Sequence, residues 1–162
     1  YKKEGITCLL IPIRIITSKQ LTTFMEHTLF LVTSILPGYI TGGYWYANNE
    51  AAFQAQKTLS PKEQLQFTKL RNPKDAKKLG REVQLRSDWE RVKLMYMYEI
   101  CMCKFMQNPT LCKALLATGI VTLLKETTGG DYFWGSVNGH GENHLGKILM
   151  DIRAKLNLNV KT

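Results

Sequence analysis

The chain has 162 residues, a formal net charge of +9 and a sequence pI of about 9.4. This length suits one domain with its own core, and a balance of 44% hydrophobic and 22% charged residues is ordinary for a soluble globular protein. This net charge favours binding of anionic partners such as phosphates, nucleotides or nucleic acid, and the alternative is that the surface is simply basic. The basic residues form no long run, so a dedicated nucleic-acid arm is not expected.

The N-terminal part of the chain differs in composition from the rest. Residues 1–47 are rich in Ile, Thr and Leu and include Pro12, Pro37 and the pair Gly42-Gly43. This pattern predicts short strands separated by turns, of which 44–47 is the clearest. From Glu50 onward the sequence contains residues typical of helix starts and ends, so it indicates a small sheet followed by helices.

Three predicted helices begin with a polar cap followed by proline, because proline lacks the N–H that would be unpaired at the first helical position. They begin at Ser60-Pro61, Asn72-Pro73 and Asn108-Pro109, and Gly80 and Gly119 are placed to end the second and third. Glu63, three residues after Ser60, completes a predicted capping box.

Two longer helices are also predicted. A second capping box, from Ser87 to Glu90, predicts the start of a long helix with apolar residues at three-and-four spacing. A short strand is predicted at 121–124. The last helix is expected to bury one face, formed by Leu145, Ile148, Leu149, Ile152 and Leu156.

A long segment at 127–143 contains five glycines among aromatic residues. Glycine lets the backbone turn sharply and approach a ligand closely, and a loop of this length inside a compact domain is usually functional or disordered. The aromatic residues argue against disorder, so we predict a functional loop.

Glu50 is the most informative candidate for chemistry. It lies in a predicted first helical turn, shortly after an aromatic run at 44–46. A carboxylate beside a flat aromatic surface suits an enzyme that holds a heterocycle and attacks the sugar attached to it. Taken singly, each candidate residue has a structural explanation: a glutamate favoured by the helix dipole, a tryptophan in the core, an aspartate that forms a turn or an asparagine that caps a helix. Together they supply a carboxylate pair, two indoles and an amide: Glu50, Asp131, Trp89, Trp134 and Asn143.

The sequence contains no other recognisable set of catalytic or metal-binding residues. The histidines at 27, 140 and 144 lack metal-ligand spacing, and the four cysteines form no CxxC pair. This spacing predicts no metal site, and no cofactor is expected. Scattered thiols fit a reducing cytosol, so we expect a cytoplasmic protein. The apolar run at 6–16 is too short to span a bilayer and contains Pro12 and Arg14, so no membrane association is expected.

Seven ordered blocks of the sequence resemble the NADAR (YbiA-like) family. They are NNEAAFQAQK at 48–57, PKDAKKLGR at 73–81, DW at 88–89, KFMQNP at 104–109, LLATG at 115–119, DYFWG at 131–135 and GENHLGK at 141–147. The resemblance implies an α+β, mainly helical single domain with a small sheet from its N-terminal part. Residues 1–43 would form an irregular N-terminal part, and 44–157 the catalytic core.

The resemblance also implies an N-glycosidase that needs no metal. Family members cleave a bond between ribose and a base-like nitrogen. The expected substrate is a small phosphorylated ribosyl compound, such as an early riboflavin-biosynthesis intermediate that yields ribose 5-phosphate and an aminopyrimidine. The alternatives are an ADP-ribosyl-guanine hydrolase, or a non-catalytic relative that binds ADP-ribose or a nucleotide. No stable protein partner is implied.

The matched blocks assign expected roles to individual residues. Glu50 and Asp131 are the expected catalytic residues, with Glu50 stabilising an oxocarbenium-like state or activating water. Trp89 and Trp134 would stack on the base or wall the ribose. Asp131 and Asn143 would bond sugar hydroxyls or position water. The remaining expected substrate-binding residues are Asn49 and the phosphate candidates Lys57, Arg81 and Lys147.

Two departures from the family pattern bear on activity. Some relatives have an acidic residue directly after the Trp-Gly pair, where this chain has Ser136. Before the first block the family usually carries Ser-Asn-Phe-Tyr-Pro, and the residues found here at 32–36 can encode that run when read one nucleotide earlier. The same shift restores a family-like series at 25–28.

We therefore hypothesise that 25–36 is a frame-shifted segment, with ordinary divergence as the alternative. Resequencing the gene tests this hypothesis, and a clean in-frame read without compensating insertions or deletions would contradict it.

Overall fold

The sheet lies at the start of the part of the chain that the structure describes. The structure, a computed structural model, describes residues 39–41, 43–120, 122–123, 125 and 130–160. Strands β1 (Tyr39–Thr41) and β2 (Tyr44–Tyr46) pair in antiparallel fashion, with Tyr39 opposite Tyr46. The predicted strand at 44–47 is confirmed, and it ends one residue earlier than expected.

Six helices follow the sheet within the described residues. They are α1 (Asn49–Ala55), α2 (Pro61–Phe67), α3 (Pro73–Leu79), α4 (Trp89–Gln107), α5 (Pro109–Ala117) and α6 (His144–Val160). The predicted α+β, mainly helical single domain with a small sheet is therefore confirmed.

The three helix starts that carry proline are all confirmed, with proline in the first turn of α2, α3 and α5. The Ser60 side chain accepts a hydrogen bond from the backbone N–H of Glu63, and Asn72 caps α3 in the same way. The capping box at Ser60 is only half formed. The Glu63 carboxylate accepts from the hydroxyl of Thr58, and that hydroxyl accepts from the Ser60 N–H.

The second predicted capping box is wrong. Helix α4 begins at Trp89, its N-cap is Asp88, and no side chain caps it. The physical reason is Arg86, whose guanidinium binds both carboxylate oxygens of Asp88 at 2.5 and 3.0 Å. This hydrogen bonding lowers the pKa of the Asp88 carboxyl and occupies the side chain nearest to the helix start.

The predicted strand at 121–124 is also not found. Residues 122 and 123 lie outside any strand, and 121 and 124 are outside the described residues. The backbone of Leu123 pairs instead with the side chain of Asn143, whose Nδ2 donates to the Leu123 carbonyl at 2.9 Å. A side chain thus takes the place of a neighbouring strand.

Within the described ranges, two buried clusters form the core. One lies among α4, α5 and α6 and contains every residue of the predicted face of the last helix, which confirms that prediction. The other joins β2, α1, α2, α3 and α4 around Phe53, Phe67 and Trp89. Trp134 packs against both clusters, so it anchors the glycine-rich loop to both parts of the core.

The hypothesised frame-shifted segment at 25–36 lies outside the described residues, as does nearly all of the irregular part predicted at 1–43. Among the helices of the described ranges, none has the length and apolar character to cross a membrane.

Candidate active site

The start of α1 places Glu50 where the sequence predicts it, in the first helical turn. Asn48 is the N-cap, and its Oδ1 accepts from the Ala51 N–H at 2.8 Å. Its Nδ2 donates to the carbonyls of Leu70 and Arg71, which lie just before α3. The cap therefore fixes both the start of α1 and its position relative to α3.

The Glu50 carboxylate has two neighbours that restrict it unequally. Nε2 of Gln54, one turn later, donates to Oε1 of Glu50 at 2.7 Å. Oε2 forms an ion pair with Lys77, whose Nζ lies 4.0 Å away and whose side chain is 58% exposed. The side chain of Glu50 is 24% exposed. One oxygen is held from within the protein, and the other faces an exposed cation.

One predicted phosphate ligand, Lys57, lies near Glu50, and a second, Arg81, lies near Lys57. The ammonium of Lys57 donates to the carbonyl of Gly80 at 3.2 Å, which holds it at the end of α3. Burial and the nearby charge of Arg81 lower the pKa of Lys57, while the Glu50 carboxylate raises it. Lys57 is therefore close enough to interact electrostatically with both Glu50 and Arg81.

Asn49, by contrast, points toward α4. It is buried, and its Nδ2 lies 3.8 Å from the sulfur of Cys101. Its assignment to substrate binding stays a prediction.

The two predicted indoles are linked through Phe53 of α1. The Phe53 ring lies 5.0 Å from that of Trp89 and 5.3 Å, edge to face, from that of Trp134. Trp89 is buried in the core, whereas Trp134 is partly exposed. Since Phe53 lies three residues after Glu50, this stack joins the carboxylate's helix to the loop at 130–143.

Both carboxylate oxygens of Asp131 have hydrogen-bond partners, one in the loop and one just before it. Oδ1 accepts from the backbone N–H of Trp134 at 3.0 Å, and Oδ2 pairs with Nζ of Lys125 at 2.5 Å. The first contact is that of a turn-forming aspartate. Asp131 thus orients Trp134, and its proposed catalytic role would have to proceed with Lys125 bound.

Asn143 joins the end of the loop to the segment before it. Its backbone has φ +51, its Oδ1 accepts from the Lys125 N–H at 3.0 Å, and its Nδ2 donates to the Leu123 carbonyl. Gly146 makes room for this amide, since a Cβ there would lie 2.4 Å from Nδ2. The neighbouring phosphate candidate Lys147 is exposed in the first turn of α6.

These contacts make Asn143 important for stability. Replacing Asn143 with Ala should destabilise the protein by about 2–4 kcal/mol, because a buried donor and acceptor lose their partners and Ala disfavours positive φ. Asn143→Gly keeps the backbone conformation accessible, so the difference between the two variants in urea denaturation isolates the backbone contribution. Equal stability of Asn143→Ala and the unmutated protein would contradict this account.

Sequence reasoning missed four residues of or near the site: Phe53, Gln54, Lys104 and Lys125. The i, i+4 spacing from Glu50 was a usable signal for Gln54. Lys104 is 1% exposed, and its Nζ is buried without a hydrogen-bond partner. Its spacing from buried Cys101 and Phe105 was a signal, since all three share one helix face. Nothing local marks Lys125 as the partner of Asp131.

Ser136, the departure from the family pattern, is 3% exposed, and its N–H donates to the Lys125 carbonyl at 2.8 Å. Position 136 of the loop therefore carries a neutral, buried hydroxyl. Among the described residues, no three His, Cys, Asp or Glu side chains group as metal ligands would.

Comparison with known proteins gives consistent results. A family model described as the NADAR domain matches residues 17–157. The chain is 35% identical over 122 residues to N-glycosidase YbiA of Shigella flexneri, covering 74% of this chain and 76% of that protein. It is 39% identical over 120 residues to a riboflavin biosynthesis protein of Vibrio vulnificus, covering 72% of this chain and 32% of that protein.

A solved structure shares the fold. The NMR structure of the E. coli protein YbiA aligns with a TM-score of 0.70 and 32% identity, over 79% of this chain and 78% of that one.

Proposed function

Because this chain belongs to the NADAR domain family, we propose that it hydrolyses the N-glycosidic bond of a phosphorylated ribosyl compound. Its class, a hydrolase acting on N-glycosyl bonds, is that of the relatives named N-glycosidase YbiA. For the substrate we propose an early riboflavin-biosynthesis intermediate. The support is the name of the Vibrio relative, a riboflavin biosynthesis protein.

One observation carries the proposal: Glu50 is a restrained, partly exposed carboxylate that interacts with the cation of Lys57, which in turn lies near Arg81. Glu50 is held by Gln54, and Lys57 interacts with both Glu50 and Arg81. A ribose 5-phosphate group needs negative charge near its anomeric carbon and positive charge near its phosphate. The start of α1 and the end of α3 supply both.

The proposed reaction adds water to C1 of the ribosyl group and releases the base. Cleavage passes through an oxocarbenium-like state, which the Glu50 anion stabilises or in which it activates the water. Trp134 lines the ribose site or stacks on the base. Trp89 lies in the core behind Trp134, and Phe53 contacts both rings. Asp131, Asn143, Asn49 and Lys147 complete the proposed site, the last as a further phosphate ligand.

A two-substrate assay tests the proposal. The unmutated protein is incubated with a ribosylaminopyrimidine 5-phosphate of the riboflavin route and, separately, with DNA carrying ADP-ribosylated guanine. Release of ribose 5-phosphate and free aminopyrimidine supports our proposal. Release of ADP-ribose alone would instead identify an ADP-ribosyl-guanine hydrolase.

A third outcome would point to a binding module. Saturable binding of ADP-ribose or a nucleotide without turnover of either substrate would contradict the proposed activity, and Ser136 is the first residue to examine in that case. We also propose a cytoplasmic location, since the cysteines of the described residues are free thiols.

A further inference from the structure

Gln54 holds Glu50 in a way that fixes its own orientation. An ionised carboxylate can only accept hydrogen bonds, so the Gln54 atom that lies 2.7 Å from Glu50 Oε1 must be the donating Nε2. The Gln54 carbonyl oxygen then points away from Glu50. The two side chains lie one turn apart on α1, where i, i+4 pairs meet.

Gly80 provides the space for this amide. A Cβ on Gly80 would lie 1.9 Å from Oε1 and 2.7 Å from Cδ of Gln54. The backbone of Gly80 is ordinary right-handed helix, with φ −67, so an alanine there would be acceptable to the backbone itself. What requires glycine at this position is the Gln54 side chain.

The unpaired carbonyl oxygen of Gln54 indicates that this side chain does more than fill space in the core. Gln54 is 8% exposed, and its Oε1 is buried without a hydrogen-bond partner. A buried acceptor without a donor destabilises the folded state. A residue needed only to fill space at this position would do so better without a carbonyl group, so the benefit of Gln54 lies in its donated hydrogen bond.

We propose that Gln54 is a positioning residue that holds Oε1 of Glu50 and presents Oε2 as the reacting oxygen, in a space that Gly80 leaves open. The proposal deepens the proposed function and rests on it, since it takes Glu50 as the catalytic carboxylate. Oε2 is the oxygen that faces the exposed, cationic side of the site, 4.0 Å from Lys77. Gln54 itself touches neither substrate nor water in this role.

The first test replaces Gln54 with Met, which keeps the length of the side chain and removes the donor. We expect kcat to fall about 10–100-fold, the range found when a residue that orients a metal ligand is removed, with KM within about threefold of its original value. The thermal midpoint should stay unchanged or rise, because the unpaired carbonyl is removed. Gln56→Met is the matched control, because Gln56 follows the same helix and its side chain donates only to the Ala52 carbonyl.

The second test uses pH. In Gln54→Glu a second carboxylate faces Glu50 at neutral pH, and the pair repels. As the pH falls the pair takes up one proton, and the introduced carboxyl group, once protonated, restores the donated hydrogen bond. Activity should therefore recover on the acid side and move the pH optimum down by about one unit or more, whereas Gln54→Met shows no such recovery.

The third test is a double-mutant cycle with Gly80. Gly80→Ala should lower kcat about as much as Gln54→Met, because the added Cβ displaces the amide. In a Gln54→Ala background the same change should have little further effect, since the two closest contacts are gone and only a 3.0 Å contact to the Gln54 Cβ remains. Additive losses of the two changes would contradict the proposed link.

One readout does not depend on turnover. Side-chain ¹³C relaxation of Glu50 should show an ordered carboxylate in the unmutated protein and in Gln56→Met, and a mobile one in Gln54→Met. If the unmutated protein proves inactive, the proposed function fails while this measurement still decides whether Gln54 holds Glu50. Full activity or an equally ordered Glu50 in Gln54→Met would overturn the proposal.

Discussion

Replacing Glu50 with Gln is expected to lower kcat for ribosyl cleavage by about 10²–10⁴-fold, the usual range for removing one acid–base or charge-stabilising group. The variant keeps the shape of the side chain and an Oε1 that can still accept from Gln54, so the local structure should persist. What disappears is the negative charge that we propose lies near the anomeric carbon. The measurement is kcat on the ribosyl phosphate substrate, together with the far-UV CD spectrum.

Glu90→Gln is a matched control for this variant. Glu90 also lies in the first turn of a helix, but it is exposed and pairs only with Lys93. Both changes remove a first-turn charge and therefore the same favourable helix-dipole contribution, about 0.3–1 kcal/mol. A fall in kcat in Glu50→Gln alone separates chemistry from helix stability, and equal activity of both variants would contradict the role of Glu50.

The second large effect is expected at Lys104, whose buried amine makes stability depend on pH. Burial lowers the pKa of Lys104 from 10.5 to about 8. Below pH 8 both the folded and the unfolded chain carry the proton, so the burial penalty is fully present. Between pH 8 and 10.5 the unfolded chain binds more protons, so this group makes stability rise with pH, by on the order of 3 kcal/mol in total.

The measurement compares Lys104→Met with the unmutated protein in urea denaturation at several pH values. The variant should be more stable by on the order of 3 kcal/mol at neutral pH, and the gap should close as the pH rises toward 10.5. The comparison is necessary because burial raises the pKa of Cys101 to about 12, which makes stability fall with pH above 9 in both proteins. A gap that does not change with pH would contradict this account.

The helix starts could be predicted from the sequence because their signals are local. A polar residue followed by proline acts within one turn, and all three such starts are confirmed, although the Asn108 side chain donates to the Lys104 carbonyl and makes no cap hydrogen bond. The capping box at Ser87 failed because Arg86, a residue outside the motif, binds the carboxylate at the helix start. Local patterns predict elements well until a neighbouring side chain competes for the same group.

The site was predictable to a similar extent. The position of Glu50 in a first turn follows from the chain around it. The partners of Asn143 do not, because its side chain binds backbone groups of Leu123 and Lys125 that are remote in sequence. The spacing of Lys104 from Cys101 and Phe105 indicates a shared helix face, but the burial of that face depends on the helices packed around it, and a lysine by itself predicts an exposed residue.

The central claim is that Glu50 carries the cleavage of an N-glycosidic bond in a ribosyl phosphate. Its most direct test is a single-turnover experiment with excess protein, following ribose 5-phosphate and free base in the unmutated protein and in Glu50→Gln. We predict equimolar appearance of both products in the unmutated protein, and bound but uncleaved substrate in the variant. Undiminished cleavage by Glu50→Gln would contradict the claim.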